Sequence, residues 1–329
     1  MVSLVKVVIP GGSGHLGHVL ARSFARDGHD VVILSRRRAP LPWRVVEWDA
    51  ASLGAWTAEL EGADVLINLA GRSVNCRYTP ARRREILDSR VVSTRVLGEA
   101  VARASRPPRV WLQSSTATIY AHRFDAANDE ATGILGGSEP GVPDTWNFSI
   151  DVATKWEREF DRAPATPDTR KVAMRSAIVM SPERDGPFEV LLQLVRRGLG
   201  GTSGDGRQFV SWIHDEDFVR AVKWLIDRAD ISGVVNLAAP NPLPNAEFMR
   251  ALRDAWGTSM GLPAPAWLLE IGALFMRTET ELVLKSRRVV SARLRDHGFV
   301  FSWPQWPEAA RDLVKRWRSR PTADSISAP

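Results

Sequence analysis

Three glycines spaced three apart, Gly11, Gly14 and Gly17, lie between the apolar run Leu4 to Ile9 and the helical pattern Leu16, Leu20, Phe24. Strand, glycine turn and helix in that order let backbone N–H groups approach a pyrophosphate, and the helix N-terminus adds partial positive charge. The chemistry this predicts is dinucleotide binding. The pattern is G-x-x-G-x-x-G, not the G-x-G-x-x-G of the older dehydrogenase fingerprint, so its context has to carry the rest. The next strand, Val31 to Leu34, runs into Ser35-Arg36-Arg37-Arg38. An acidic residue there would bond a free ribose 2′-hydroxyl, whereas arginine offers a planar bidentate donor to a 2′-phosphate, and Ser35 adds a hydroxyl. Ser35, Arg36 and Arg37 therefore predict NADP(H) over NAD(H), against the competing reading of a solvated basic loop. Two roles are open to Asp49, which follows the strand Val45 to Trp48: meeting the adenine ring, or capping a helix that starts near Ala51.

Other reactive residue types are sparse. The hydroxyls of Ser114, Ser115 and Thr116 follow the apolar run Val110 to Leu112, and open α/β sheets hold their ligands at strand carboxyl ends. Those hydroxyls could equally satisfy nearby backbone groups. The single cysteine, Cys76, excludes an internal disulfide; it reads as a small buried residue rather than a nucleophile, because no nearby His supplies a base. Six histidines contain no H-E-x-x-H or similar ligand set, so no metal is expected. A G-x-S-x-G nucleophile turn is absent because position 15 is His. His214 and Asp217 have the spacing of an acid/base pair, but that spacing also anchors the start of a helix.

The elements that must position these residues alternate. Apolar runs at Val31–Leu34, Val65–Leu69, Val110–Leu112 and Val172–Met174 read as buried strands, and amphipathic stretches separate most of them. The fold class this implies is α/β, a doubly wound parallel sheet of the Rossmann kind with helices on both faces. Pro80–Ala104 and Asn147–Phe160 read as long helices; their apolar residues either face the sheet or build a homodimer interface. Beyond Met180 come a helix Phe188–Val195, a glycine-rich turn Gly198–Gly206, a strand Phe209–Ile213, a helix Glu216–Asp227 and a strand Val234–Leu237. We expect a dinucleotide-binding domain over 1–180, to which 209–240 returns, and a smaller substrate lobe from 181–208 and 241–318. Residues 319–329 lack apolar periodicity and read as a disordered tail. At 329 residues and 44% hydrophobic content the chain can bury a large core. The net charge of +6 is spread among interspersed acidic residues, as in Arg158-Glu159-Phe160-Asp161-Arg162, which speaks against nucleic-acid binding. No secretory signal or run of ~18 apolar residues is present, so no membrane association and a cytoplasmic location are expected.

Taken together, Gly11–Gly17, Asn68-Leu69-Ala70-Gly71, Ser114 to Tyr120 and Trp212 to Asp217 resemble the extended short-chain dehydrogenase/reductase superfamily in order and spacing. Arg77-Tyr78-Thr79, Ser89-Arg90, Gly206-Arg207-Gln208, Asn236 to Pro242 and Ser286-Arg287-Arg288-Val289 look more specifically like its SulA-type "epimerase family" branch, which carries a C-terminal domain of unknown function. The resemblance implies NADP(H) bound by Gly11, Gly14, His15, Leu16, Gly17, Leu69, Ala70, Gly71, Arg90 and Ser114, under a C-terminal lobe that closes a substrate cleft. It gives Thr116 the position of the catalytic Ser/Thr. It gives Arg90 an active-site place on the long helix, to bind an anionic substrate or a developing oxyanion; the alternative is a salt bridge across the helix layer. Relatives use a Tyr as general acid with a Lys four residues on. This chain has only Tyr78 and Tyr120, followed at that offset by Arg82 and Phe124, and the pattern puts Ser149 and Ala153 where the pair belongs. Lys155 is two residues further, about 200° around a helix, and cannot simply replace the missing lysine. Tyr120 and Tyr78 remain as alternative acids.

Two readings follow. One is an NADP(H)-dependent oxidoreductase of a small carbonyl or alcohol, with a nucleotide-sugar epimerase as a variant that the lost Tyr-Lys pair disfavours. The other is a non-catalytic NADP(H)-binding redox sensor or partner-binding module.

Overall fold

The computed structural model describes residues 4–320 except 39, 140–141, 165, 185 and 266–280. The first ten residues set the pattern: β1 (Lys6–Pro10) is followed by the turn and α1 (His15–Arg26), which buries Val19, Leu20 and Phe24. β2 (Asp30–Ser35), β3 (Arg44–Glu47), β4 (Val65–Asn68), β5 (Val110–Thr116), β6 (Arg170–Ser176) and β10 (Gly233–Leu237) complete a seven-stranded sheet. Its order is β10-β6-β5-β4-β1-β2-β3, and every pairing in it is parallel. The order reverses between β1 and β4, which places the ligand crevice of an open α/β sheet at their carboxyl ends.

Central strands are apolar on both sides because helices cover both faces. On one face α1 and α5 (Asp215–Asp227) pack Leu20, Phe24, Phe218 and Leu225 onto Ile9, Ile33 and Val235. On the other, α2 (Pro80–Arg103) and α3 (Asp144–Arg162) pack Leu97, Val101 and Phe160 onto Val8, Leu66 and Trp111. The Thr79 hydroxyl caps α2 by accepting from the Arg82 N–H at 3.3 Å, and Pro80 follows at the first helical position. The apolar residues of α2 and α3 face inward: among the described residues neither helix carries a large exposed hydrophobic side chain.

A third core belongs to the C-terminal lobe. α4 (Pro187–Arg196), α6 (Asn245–Trp256) and the last helix (Trp306–Arg318) meet around Phe248, whose ring stacks on Trp306 with centroids 4.0 Å apart. The remaining elements are short: β7 (Ile178–Met180), β8 (Phe209–Val210), β9 (Trp212–His214), β11 (Leu243–Pro244), α7 (Glu281–Leu284) and α8 (Ala292–Asp296), which makes the last helix α9.

Several details differ from the sequence expectations. The strand Phe209–Ile213 is two strands that separate at Ser211, where the side-chain hydroxyl donates to the Arg287 carbonyl at 2.5 Å and accepts from the Val289 N–H at 2.8 Å. β8 then pairs with β11 and β9 with β7, outside the main sheet. Leu294 and Phe299, within the range expected to form the lobe, pack into the core under the sheet instead. No helix starts near Ala51; a 3-10 turn spans Ala55–Glu59. Of the expected tail, residues 321–329 lie outside the described residues.

Candidate functional site

The glycines of the turn divide their work. Gly11 has a φ of 75°, and a Cβ there would sit 2.7 Å from the Leu69 and Ala70 backbone, so glycine lets the ends of β1 and β4 touch. A Cβ on Gly17 would lie 2.2 Å from the Gly12 carbonyl oxygen, so this residue seats α1 on the turn. Gly14 is exposed and would meet nothing nearer than 3.5 Å. It begins α1 with no side-chain cap and no acidic residue in the first turn, which leaves first-turn amides and the helix dipole open to an anion. His15 and Leu16 are half-buried in that turn. Burial lowers the His15 pKa and favours the neutral ring, and its buried Nε2 has no hydrogen-bond partner.

On the β2 side, buried Ser35 bonds the Ser13 hydroxyl at 3.1 Å, and Arg36 and Arg37 are exposed. Arg36 and Asp49 line one cleft of about 410 Å³ together with Trp48, Leu53 and Trp56. Asp49 also fixes its own loop: Oδ1 accepts from the Ala51 and Ser52 N–H groups at 2.8 Å each, and the Ser52 hydroxyl holds its pKa below the usual range. It is thus a turn cap within a cleft.

A second cavity, about 120 Å³, opens at the carboxyl end of β5. α2 contributes Ile86 and Arg90, α3 contributes Phe148, Ser149, Val152, Ala153 and Trp156, and the last residue of β5 and the turn after it contribute Thr116 and Thr118. Tyr78 and Glu281 close the wall. Three of the residues expected to act on substrate, Thr116, Arg90 and Tyr78, therefore share one pocket. Thr116 Oγ1 accepts from the Thr118 N–H at 3.1 Å, which occupies a lone pair and leaves its own O–H to donate. Arg90 lies with its guanidinium carbon 5.1 Å from the Trp156 ring and donates to the Ile86 carbonyl at 3.0 Å. No carboxylate lies within ion-pair distance of it among the described residues, and burial lowers its pKa to about 10. A Cβ on exposed Gly71 would come within 3.2 Å of its Cζ, so this cation borders the β4 end of the dinucleotide crevice. Ser114 is half-buried on β5, and its carbonyl accepts from Gln113 Nε2.

Tyr120 is not brought into this pocket. Its hydroxyl donates to Asn236 Oδ1 and accepts from Arg175, both at 3.0 Å, within a buried network that includes the Arg175–Glu157 ion pair at 2.6 Å. Burial raises the phenol pKa, which opposes proton donation near neutrality. His214 caps α5 by accepting from the Glu216 N–H at 3.2 Å and stacks on Trp303, while Asp217 accepts from the Ser302 and Trp303 N–H groups. Cys76 sits half-buried in the loop before α2. Among the described residues no three His, Cys, Asp or Glu side chains converge as a metal site, and no helix is long and apolar enough to cross a membrane.

The sequence reading did not single out Glu281 and Lys285. Both are 1% exposed; Glu281 lines the pocket, and Lys285 Nζ lies 3.7 Å from its carboxyl. Lys285 donates to the Thr118 carbonyl at 2.9 Å, and burial lowers its pKa to about 8. A buried Lys and Glu one helical turn apart carry no local motif; the only signal is their membership in the segment around Ser286-Arg287-Arg288-Val289.

Residues 7–238 match the NAD dependent epimerase/dehydratase family, and residues 264–313 match a domain of unknown function, DUF1731. Epimerase family protein SDR39U1 of Bos taurus is 31% identical over 314 residues, 94% of this chain and 100% of that protein. The structure of human epimerase family protein SDR39U1 (isoform 2) with NADPH aligns with a TM-score of 0.80 and 29% identity, over 94% of this chain and 99% of its own. A nucleoside-diphosphate sugar epimerase from Corynebacterium glutamicum aligns with a TM-score of 0.73 and 28% identity, over 94% of this chain and 58% of that one. A family match over residues 7–238 and a relative 31% identical across its whole length have one meaning: the chain belongs to the NAD dependent epimerase/dehydratase family, with a match to DUF1731 at residues 264–313.

Proposed function

We propose that this chain is an NADP(H)-dependent oxidoreductase acting on a small carbonyl or alcohol. The observation that carries the reading is the meeting of Thr116, Arg90 and Tyr78 in one pocket at the sheet's carboxyl edge, where Arg90 borders Gly71 beyond β4. The residues present fit a dinucleotide: Gly14 is open, the first turn of α1 is uncapped, and Arg36 shares a cleft with Asp49. The first-turn amides of α1 would hold the pyrophosphate, Ser35, Arg36 and Arg37 a 2′-phosphate, and Leu69, Ala70 and Gly71 the crevice wall beside it. When bound, such a cofactor supplies or accepts the hydride.

The chain's own residues then orient and polarise the substrate. Thr116 donates its free O–H to the substrate oxygen, and the Arg90 cation stabilises negative charge that develops there. Ile86, Phe148, Val152 and Trp156 exclude water from the apolar body of the substrate. Tyr120 serves the fold and not the chemistry, since both of its hydrogen bonds are turned away from the pocket.

The test is NADPH oxidation across a panel of small aldehydes and ketones. A Thr116→Val variant is expected to lower kcat/KM by about 100-fold while the NADPH Kd stays put. Tight NADPH binding with no turnover across the panel would instead support the second reading, a redox sensor, which rests on Ser149 and Ala153 standing where relatives carry Tyr and Lys.

A further inference from the structure

Thr116 and Arg90 polarise an oxygen but supply no proton near neutral pH, because an alkyl hydroxyl and a guanidinium are both very weak acids. The pocket wall holds a stronger candidate. Ser149 on α3 and Glu281 on α7, 132 residues apart, meet there with Ser149 Oγ 2.5 Å from Glu281 Oε2. The other carboxyl oxygen, Oε1, is buried without a hydrogen-bond partner, and Lys285 Nζ lies 3.7 Å from it. A carboxyl group removed from water, with one hydroxyl partner, keeps its proton to higher pH than a solvated one. Burial accordingly raises the Glu281 pKa, against the opposing pull of Arg287, Ser149 and Lys285.

We propose that Glu281 and Ser149 form a proton relay to the substrate oxygen, in which Glu281 stores the proton and Ser149, lining the pocket, passes it on. This rests on the oxidoreductase reading. In the reductive direction the carbonyl carbon gains a hydride from the reduced dinucleotide and the C=O π pair moves onto oxygen. That oxygen takes the Ser149 hydroxyl proton as Ser149 takes the carboxyl proton of Glu281. The products are an alcohol, the oxidised dinucleotide and a Glu281 carboxylate, which the nearby Lys285 ammonium stabilises until solvent returns the proton. A general acid placed in this way contributes about 10²–10⁴-fold in rate. The C-terminal segment would thereby supply an acid to a pocket in which Ser149 and Ala153 stand where relatives carry the Tyr-Lys pair.

Among the described residues, the charged and titratable groups facing the pair are Lys285 and Arg287 from the segment of Glu281 itself, Glu139 beside Lys285, and Tyr78 and Arg90 across the pocket. Infrared difference spectra of the full chain without cofactor, taken between about pH 4 and pH 9, read the carboxyl directly. The relay predicts an acid band that disappears as pH rises above the usual carboxylate range and is absent in Glu281→Gln. In Ser149→Ala the band persists to still higher pH, because a hydrogen bond favouring the carboxylate is gone. Kinetically, wild-type kcat falls through the same transition, while Glu281→Gln and Ser149→Ala each lose about 100-fold in kcat with the NADPH Kd unchanged, and Glu281→Gln loses the pH step. A purely structural pair would change thermal stability and leave the pH profile in place. Wild-type kcat in both variants, or no Glu281 acid band above the usual range, overturns the relay alone. Wild-type protein that binds NADPH and reduces no carbonyl overturns the oxidoreductase reading and the relay with it.

Discussion

Replacing Arg90 with methionine separates its contribution to function from its effect on stability. The guanidinium is partly buried against Trp156 and Gly71 with no carboxylate partner among the described residues, and its pKa falls from 12.5 to about 10. That fall corresponds to about 3 kcal/mol of unfavourable charge burial, an upper bound because solvent at the pocket mouth screens part of it. The cost is fully present at every pH below the depressed value, where the group is charged in both folded and unfolded chains, and it is relieved only as pH rises through about 10. The contact with Trp156 and the bond to the Ile86 carbonyl return about 1–2 kcal/mol. Arg90→Met keeps the apolar stem, so the net expectation is a variant as stable as wild type or about 1 kcal/mol more stable, with melting raised by about 1–3 °C. Function moves the other way. A charge-assisted hydrogen bond to a developing oxyanion contributes about 1.5–3 kcal/mol, so kcat/KM drops by about 10–150-fold. The assay pairs thermal melts followed by circular dichroism with steady-state NADPH oxidation. A variant that melts 5 °C or more below wild type, a drop of about 2 kcal/mol, and retains its kcat/KM would refute the reasoning and make Arg90 a structural cation.

Gly17→Ala sets a Cβ 2.2 Å from the Gly12 carbonyl oxygen, backbone against backbone, so neither side can yield cheaply. Chemical denaturation should show a loss of about 2–3 kcal/mol or more, together with loss of NADPH binding. Tyr120→Phe leaves Asn236 Oδ1 and one Arg175 N–H without their buried partner, and should lower stability by about 1–3 kcal/mol with kcat unchanged. A large fall in kcat with normal melting would return Tyr120 to the chemistry. Glu157→Gln breaks the Arg175 ion pair and leaves a buried cation, for an expected loss of about 3–5 kcal/mol in denaturant melts and no change in nucleotide selectivity.

Features encoded over a few consecutive residues were legible before the fold was known. The glycine turn, the apolar strands up to β6 and the start of α2 at Pro80 each carry a local signal, and each lies where the sequence put it. What escaped depends on partners far along the chain. β5 continues through Gln113, Ser114, Ser115 and Thr116 because β6 pairs with each of them and Asn68 bonds Gln113, although four polar residues in a row do not read as a buried strand. Ser211 divides an apolar run at the point where its hydroxyl donates to the Arg287 carbonyl and accepts from the Val289 N–H. The pocket was half legible. Thr116 and Arg90 were reached through family spacing, and Tyr78 through its place after the fourth strand. Glu281 was not, because nothing near it in sequence distinguishes it from a solvated helical glutamate. Tyr120 is one of only two tyrosines in the chain, and only the positions of Asn236 and Arg175 show where its hydroxyl goes.

The central claim is that the glycine turn and the arginines after β2 hold NADP(H) beside the Thr116 pocket. A calorimetric titration of the full chain with NADPH and with NADH, repeated on Arg36→Ala, tests it most directly. The account predicts tight NADPH binding, NADH weaker by about tenfold or more, and an Arg36→Ala variant that loses about 1.5–3 kcal/mol for NADPH and little for NADH. Equal affinity for the two nucleotides, unaffected by the substitution, would contradict the 2′-phosphate site, and no binding of either would remove the cofactor from the account altogether.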